Sequence, residues 1–247
     1  MLLFNNMDSI IIEIRAGAGG DEAAIFASDL YKMYSKYAIS QGWEVKVKES
    51  SPIGIGGLKQ TTFQIKGKGA FNKLKNEGGV HRVQRVPKTE KSNRIHTSTA
   101  SVAILQKGEE ATIDINPNDL KYDYFCSSGK GGQNVNKRQT AIRITHVPSG
   151  EVATSQTQRN LEQNRQTAIA MLKARLLAKE QAVQSDEVKE DRQAQIGTAN
   201  RSEKIRTYNF PQDRITDHRI KKSFHNIEKI MDGKIDKMIS KLQEMLS

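Results

Sequence analysis

Between Ser9 and Leu105 the chain carries several runs of strand length and only one long helical pattern, a ratio that leaves few ways to build a core. Ser9 to Arg15 is apolar and β-branched, while WEVKVKES and KQTTFQIKG alternate apolar and polar residues around the turn-forming PIGIGG. HRVQRVP, STASVAIL and EATIDI read as further strands, and Phe71 to Glu77 as a short helix. The single long helix starts at Asp21, where Ile25, Phe26, Leu30, Met33 and Tyr34 fall on one face. Strands that must bury one side against one amphipathic helix predict an α+β fold with an antiparallel sheet.

Turn signals at Asn116 to Asp119 predict a boundary between this first domain, residues 1–118, and a smaller α/β domain over 119–187. There AIRITHV and EVATSQ flank a turn at Pro148 to Gly150, and a helix begins near Arg159 with Ala168, Met171, Leu172, Arg175 and Leu176 on its packing face. Residues 188–202 hold few large apolar side chains and read as a linker, either a mobile connector or a fraying extension of the preceding helix. Residues 203–247 form a C-terminal segment, with an amphipathic helix from Phe224 to Leu246 broken at Asp232 to Gly233.

A formal net charge of +11 and a pI near 9.6 point to a polyanionic partner, since cations on phosphates release counterions. Nucleic acid suits this better than a membrane, because no run of about 18 apolar residues exists and no amphipathic stretch sets Trp, Phe and Leu against a basic face. The start lacks a basic segment followed by an apolar one, which predicts a cytosolic or organelle-matrix protein. One cysteine, Cys126, excludes an internal disulfide and a Cys-based zinc site. His81, His96, His146, His218 and His225 have no ligand spacing, so neither metal nor cofactor is expected.

Three stretches carry chemistry. Gly17-Ala18-Gly19-Gly20-Asp21-Glu22 joins a strand to a helix, as a dinucleotide fingerprint does, but Glu22 stands where that fingerprint needs glycine. What survives is close backbone approach and a Glu22 carboxylate placed to accept hydrogen bonds from a base. From His81 to Thr99 the cations Arg82, Arg85, Lys88, Lys91 and Arg94 face one acid, Glu90. Gln84, Thr89, His96 and Thr97 are interspersed as neutral groups able to read or stack on bases while the cations hold phosphates. Gly131-Gly132-Gln133 sits in a loop followed by a basic segment, from Lys137 and Arg138 to Lys173 and Arg175. No Walker spacing, GxSxG elbow or Cys–His pair accompanies it, so its chemistry would be positioning and oxyanion stabilisation at a centre supplied by a partner.

The segments AGAGGDEAA, GGVHRVQRVP, RIHTST, INPNDL, SSGKGGQNVN, AIRITHVPSG, RTYNFPQ and RITDHRI together resemble the bacterial class I peptide chain release factors, of the type that reads UAA and UAG. Pro87-Lys88-Thr89 matches that type's Pro-x-Thr tripeptide, where the UGA-reading sister carries Ser-Pro-Phe. The resemblance implies that Gly131, Gly132 and Gln133 enter the peptidyl transferase centre, with the Gln133 amide stabilising charge while water hydrolyses the peptidyl-tRNA ester. It implies that Gly19, Glu22 and Thr89 meet the first base of the stop codon, His96 stacks at the second, and Gln84, Ile95 and Thr97 line the third. Implied partners are the ribosome with its RNA, the mRNA, peptidyl-tRNA, a glutamine methyltransferase acting on Gln133 and a recycling GTPase; the alternative function is codon-independent ribosome rescue. Residues 188–202 correspond to a switch loop, Lys130 and Asn134 depart from the family's usual small residue and histidine, and the helical domain that precedes the first strand in the family is not among these residues.

Overall fold

A computed structural model describes residues 8–54, 56–87, 90, 93–106, 115–127, 138–197 and 201–246. The chain divides into two units, one formed by Met1–Gly108 together with Val188–Ser247 and the other by Glu109–Glu187. The fold is α+β, as the strand-to-helix ratio predicts.

In the first unit, β1 (Asp8–Ala16) runs into α1 (Asp21–Ser40), followed by β2 (Glu44–Ile53), β3 (Gly57–Gly67), α2 (Ala70–Leu74), β4 (Gly79–Arg85) and β5 (His96–Gln106). After the second unit come β9 (Lys204–Asn209), β10 (Arg214–Asp217), β11 (Lys222–His225), α4 (Ile227–Met231) and α5 (Asp236–Leu246). All eight strands form one sheet in the order β11-β10-β9-β4-β5-β1-β3-β2. The antiparallel expectation fails at one seam, where β4 and β9 run parallel from Val80 opposite Lys204 to Gln84 opposite Asn209. Parallel neighbours require a long crossover, and here the whole second unit lies between them in sequence.

Period-two alternation explains the face that closes the core: Ile10, Ile12 and Ile14 of β1 are fully buried with Phe63 and Ile65 of β3 and Val102 and Ile104 of β5. Phe26, Leu30, Met33, Tyr34 and Tyr37 of α1 cover them, and each such side chain contributes roughly 1.5–3 kcal/mol. The helix ends where the Trp43 amide turns back to the Ala38 carbonyl, 2.9 Å away. Ile227, Ile230, Ile235, Met238, Ile239 and Leu242 of the C-terminal segment complete the same core. The amphipathic segment expected from Phe224 starts at Ile227 instead, because Phe224 still belongs to β11, and it is interrupted at Asp232 and Gly233 as expected.

A polar network fastens β9 and β10 to the sheet. Arg206 of β9 is fully buried, donates to both oxygens of Glu77 at 2.6 and 2.8 Å, and lies 3.2 Å from Asp217, which also binds Arg219 at 2.7 Å. Burial alone would raise the Glu77 carboxyl, but the Arg206 charge and hydrogen bonds outweigh it and hold Glu77 below the ordinary range. Desolvation holds His81 down to about 4, aided by repulsion from Arg206. Neutral His81 sits between the Tyr208 hydroxyl at 3.1 Å and the Glu77 carbonyl at 3.0 Å.

The second unit pairs β6 (Leu120–Phe125), β7 (Ala141–His146) and β8 (Val152–Ser155) into an antiparallel sheet. Ile142, Ile144 and Ala153 bury against Ala168, Leu172 and Leu176 of α3 (Leu161–Ile196). Met171, expected on the packing face, is exposed, as is Arg175, whose guanidinium donates to the Val152 carbonyl. The turn at Asn116 to Asp119 leads directly into β6, with the Asn116 side chain accepting from the Asn118 amide. Residues 188–196, expected as linker, continue α3 as helix; there Arg192 pairs with Glu13 at 2.9 Å and Gln195 makes two 2.8 Å hydrogen bonds with the Ile104 backbone.

Candidate nucleic-acid interface

One end of the large sheet gathers the C-terminal ends of β1, β4 and β9 and the N-terminal end of β5. Leaving β1, the chain is stitched across β5: the Gly17 amide donates to the Thr99 carbonyl at 2.8 Å, the Ala18 amide to Thr99 Oγ1 at 2.9 Å, and the Thr99 amide to the Ala18 carbonyl at 2.9 Å. A Cβ on Gly17 would stand 2.5 Å from Thr99 Oγ1, and one on Gly19, at φ +136°, would meet Ser98 with its Cα at 3.0 Å. These glycines are required by close approach to β5 and by backbone angle. They deliver α1 to the rim with Gly20 as its N-cap and no side chain capping it, so the first-turn amides have no intrahelical acceptor.

Gln84 stands in β4 between Thr97 of β5 and Asn209 of β9. Its carbonyl accepts the Phe210 amide at 3.0 Å, and its side chain receives only a long 3.5 Å contact from Asn209. His96 is opposite Arg85, 45% exposed, with Nε2 2.6 Å from a Glu90 carboxylate oxygen that fixes the ring's orientation. Ile95 is exposed at 58%, Thr97 is half-buried and Pro87 is buried. The structure thus brings Gly19, Gln84, Ile95, His96 and Thr97 to one rim. Lys88, Thr89 and Lys91 lie outside the described residues.

Two expectations for this rim change. The Glu22 side chain, read as an acceptor for a base, is 3% exposed and takes 2.5 Å contact from Arg85 Nε. Arg85, read as a phosphate holder, also bonds Asp29 at 2.8 Å and lies 5.1 Å over the Phe210 ring. Arg82 is likewise engaged, donating to Thr207 Oγ1 at 3.2 Å. Arg94 is exposed and remains suited to phosphate. Sequence spacing carried no sign that the cations of β4 would be claimed by α1 and β9.

In the second unit, Gly131, Gly132 and Gln133 lie outside the described residues, as do Lys130 and Asn134. In the chain that follows, Arg138, Arg143, Arg159, Arg165, Lys173 and Arg175 are all exposed. Of the acids near them, Glu151 is 3.3 Å from Lys179 and Glu162 is 3.8 Å from Arg165. Arg143 lies over Phe125 and Arg165 over Tyr122, at 5.8 and 5.2 Å, so aromatic faces orient part of this cationic surface. Sequence reading missed Asn164, which is fully buried and donates to the Thr140 and Gln158 carbonyls at 2.7 and 2.9 Å. Its Oδ1 accepts from Ser155 Oγ and the Gln158 amide, both at 3.0 Å, so one amide anchors the chain at Thr140, shortly after the loop.

Among the described residues no helix is long and apolar enough to cross a membrane, and no group of His, Cys, Asp or Glu is arranged for a metal. The family model described as PCRF domain matches residues 1–102, and that described as RF-1 domain matches 109–219. Curated relatives include peptide chain release factor 1 of Carboxydothermus hydrogenoformans, 52% identical over 238 residues, and that of Desulfitobacterium hafniense, 53% identical over 238 residues. Each alignment covers 96% of this chain and 66% or 67% of the relative, so the chain spans about two thirds of their length. Among solved structures, RF2 of Thermus thermophilus aligns with a TM-score of 0.59 and 33% identity, over 98% of this chain and 69% of the other.

Proposed function

Since the chain belongs to the peptide chain release factor 1 family, we propose that it terminates translation by reading UAA or UAG in the ribosomal A site and triggering hydrolysis of peptidyl-tRNA. The observation that carries this reading is the convergence of Gly19, Gln84, Ile95, His96 and Thr97 at one rim of the large sheet.

The chemistry of that rim suits a stop codon. Uracil presents the O4 acceptor, which the uncapped first-turn amides of α1 beside Gly19 can meet; cytosine presents an amino donor there and is repelled. Glu22 serves this step through its backbone, since its side chain is buried. The His96 ring, held by Glu90, offers a stacking face for the second base, a type of contact worth about 1–3 kcal/mol. Gln84 and Thr97 both donate and accept, so the same pair accommodates the amino group of adenine or the carbonyl of guanine. Pro87-Lys88-Thr89 supports the UAA and UAG type by its sequence.

For hydrolysis, Gly131 and Gly132 allow close backbone approach and Gln133 aims its backbone N–H at the developing negative charge, while water attacks the ester carbonyl and the tRNA ribose oxygen leaves. The exposed cations of the second unit hold ribosomal RNA around the loop. Gln133 is the residue a glutamine methyltransferase would modify, and a recycling GTPase would act after release. Residues 188–202 would couple decoding to placement of the loop, and the protein would work in the cytoplasm or an organelle matrix.

Release from purified ribosome complexes carrying UAA, UAG, UGA, a sense codon or an empty A site tests this. Release confined to UAA and UAG, and slowed by at least about 100-fold in Gly132→Ala, is expected. Release at every codon and at the empty site would instead mean codon-independent rescue.

A further inference from the structure

Arg85 ends β4 one residue beyond Gln84 and directly opposite His96, yet its side chain is only 17% exposed. The guanidinium spans two partners on α1, Glu22 through Nε at 2.5 Å and Asp29 through Nη1 at 2.8 Å. Seven residues are two helical turns, so both carboxylates stand on one face and a single planar fork fixes the rotation of α1 as well as its distance from β4. The other side of the fork rests on Phe210, whose own amide is bonded to the Gln84 carbonyl at 3.0 Å. One cation therefore joins the helix start, the strand carrying Gln84 and the turn after β9.

Glu22 has a second feature. Its other oxygen, Oε2, is buried with no hydrogen-bond partner among the described residues, where Arg85 is the cation that compensates the carboxylate. Beside the clamp is a cavity of about 310 Å³ bordered by Asp29, Lys32, Lys36, Phe210, Glu228 and Met231. On this side of α1 the fork borders an open groove rather than packed apolar side chains.

We propose that Arg85 is a positioning residue for first-base discrimination: it sets where the first-turn amides of α1 stand relative to the codon. This rests on the reading-rim assignment above. Arg85 touches no base; it acts through Glu22 and Asp29.

The test combines release and amide exchange on Arg85→Met, Arg85→Lys and Asp29→Asn. On UAA, Arg85→Met raises the half-saturating protein concentration about tenfold or more while the saturated rate stays within about twofold, because misplacing a reading group weakens engagement with the codon more than a distant catalytic step. Its preference for UAA over CAA shrinks about tenfold. Arg85→Lys recovers the unfolding midpoint but only part of that preference, since an ammonium cannot span both carboxylates; Asp29→Asn, which leaves Glu22 paired, gives a smaller loss of the same kind. In the free protein, exchange of the Ala24 to Ser28 amides, the first bonded within α1, quickens in Arg85→Met while that of Arg206 to Tyr208 does not. An unchanged UAA-over-CAA ratio with unchanged exchange at Ala24 to Ser28 would overturn the proposal, as would uniform loss of active protein with the ratio intact. If the parent protein shows no codon preference, the reading-rim assignment fails, and exchange still decides whether Arg85 holds the helix start.

Discussion

The two ends of the large sheet are built from the same strands and treat polar groups in opposite ways. On β4, His81 lies at one end and Gln84 at the other; on β9, Arg206 and Asn209 are similarly divided. At the His81 end the ions are enclosed, with Arg206 shared between Glu77 and Asp217 and His81 bonded through both ring nitrogens. At the Gln84 end Arg85 is likewise enclosed between Glu22 and Asp29, but beside it Gln84 and Thr97 are neutral, partly exposed and weakly held, and the first-turn amides of α1 have no acceptor within the helix. The lesson is that paired, enclosed charge marks structure at both ends, and that neutral groups left partly exposed mark recognition at the second. Filled hydrogen-bonding capacity separates the two more reliably than residue type does.

The sharpest way to break this contrast is Arg206→Met. Leaving Glu77 buried without its cation, and Asp217 with Arg219 alone, should cost about 3–5 kcal/mol, read as a fall in the urea midpoint followed by the fluorescence of Trp43, the one tryptophan and itself in the core of this unit. A loss below about 1 kcal/mol would show that the enclosed end is not what fastens β9 and β10.

A smaller effect comes from pH. His81 is held down to about 4 from an ordinary value of 6.5, so between those values the unfolded chain takes up a proton that the folded chain refuses. Stability is full above pH 6.5 and declines toward pH 4 by on the order of 3 kcal/mol. Glu77 and Asp217, both held below the ordinary carboxylate range, carry the decline further as acid reaches their folded values. Replacing His81 with Asn should flatten the slope between pH 6.5 and 4, and a slope that persists would assign the effect elsewhere.

Gln84→Ala sharpens the contrast from the recognition end. Its side chain has one long contact to Asn209, so the unfolding midpoint should stay in place while the half-saturating concentration on UAA rises about tenfold. A destabilised protein with unchanged release would reverse the roles assigned to the two ends.

Much of this architecture was legible because it is local. Alternation in Lys59 to Lys66 and the helical stripe from Phe26 to Tyr34 follow directly from backbone periodicity, and each appears where the pattern places it. What escaped is non-local. Nothing near Thr207 announces that it will lie parallel to Arg82, and nothing near Gln195 announces that its amide will bond both backbone groups of Ile104. Polar composition at 188–196 therefore read as linker although its helix is fastened at Arg192 and Gln195. At the rim, strand pairing sets Gln84 opposite Thr97 and Arg85 opposite His96, and Glu22 and Arg85, read from sequence as facing RNA, turn toward each other because burying α1 brings their unlike charges together.

The parallel seam between β4 and β9 also sets an order of manufacture. During synthesis β4 is made long before β9, and until Asn209 has emerged its outer edge offers unpaired amides and carbonyls to any neighbouring chain. The core under α1 waits as well, since Ile227 through Leu242 come last. A nascent chain halted before β9 is therefore not a smaller version of the protein: a segment translated after the second unit is the one that closes the sheet begun before it.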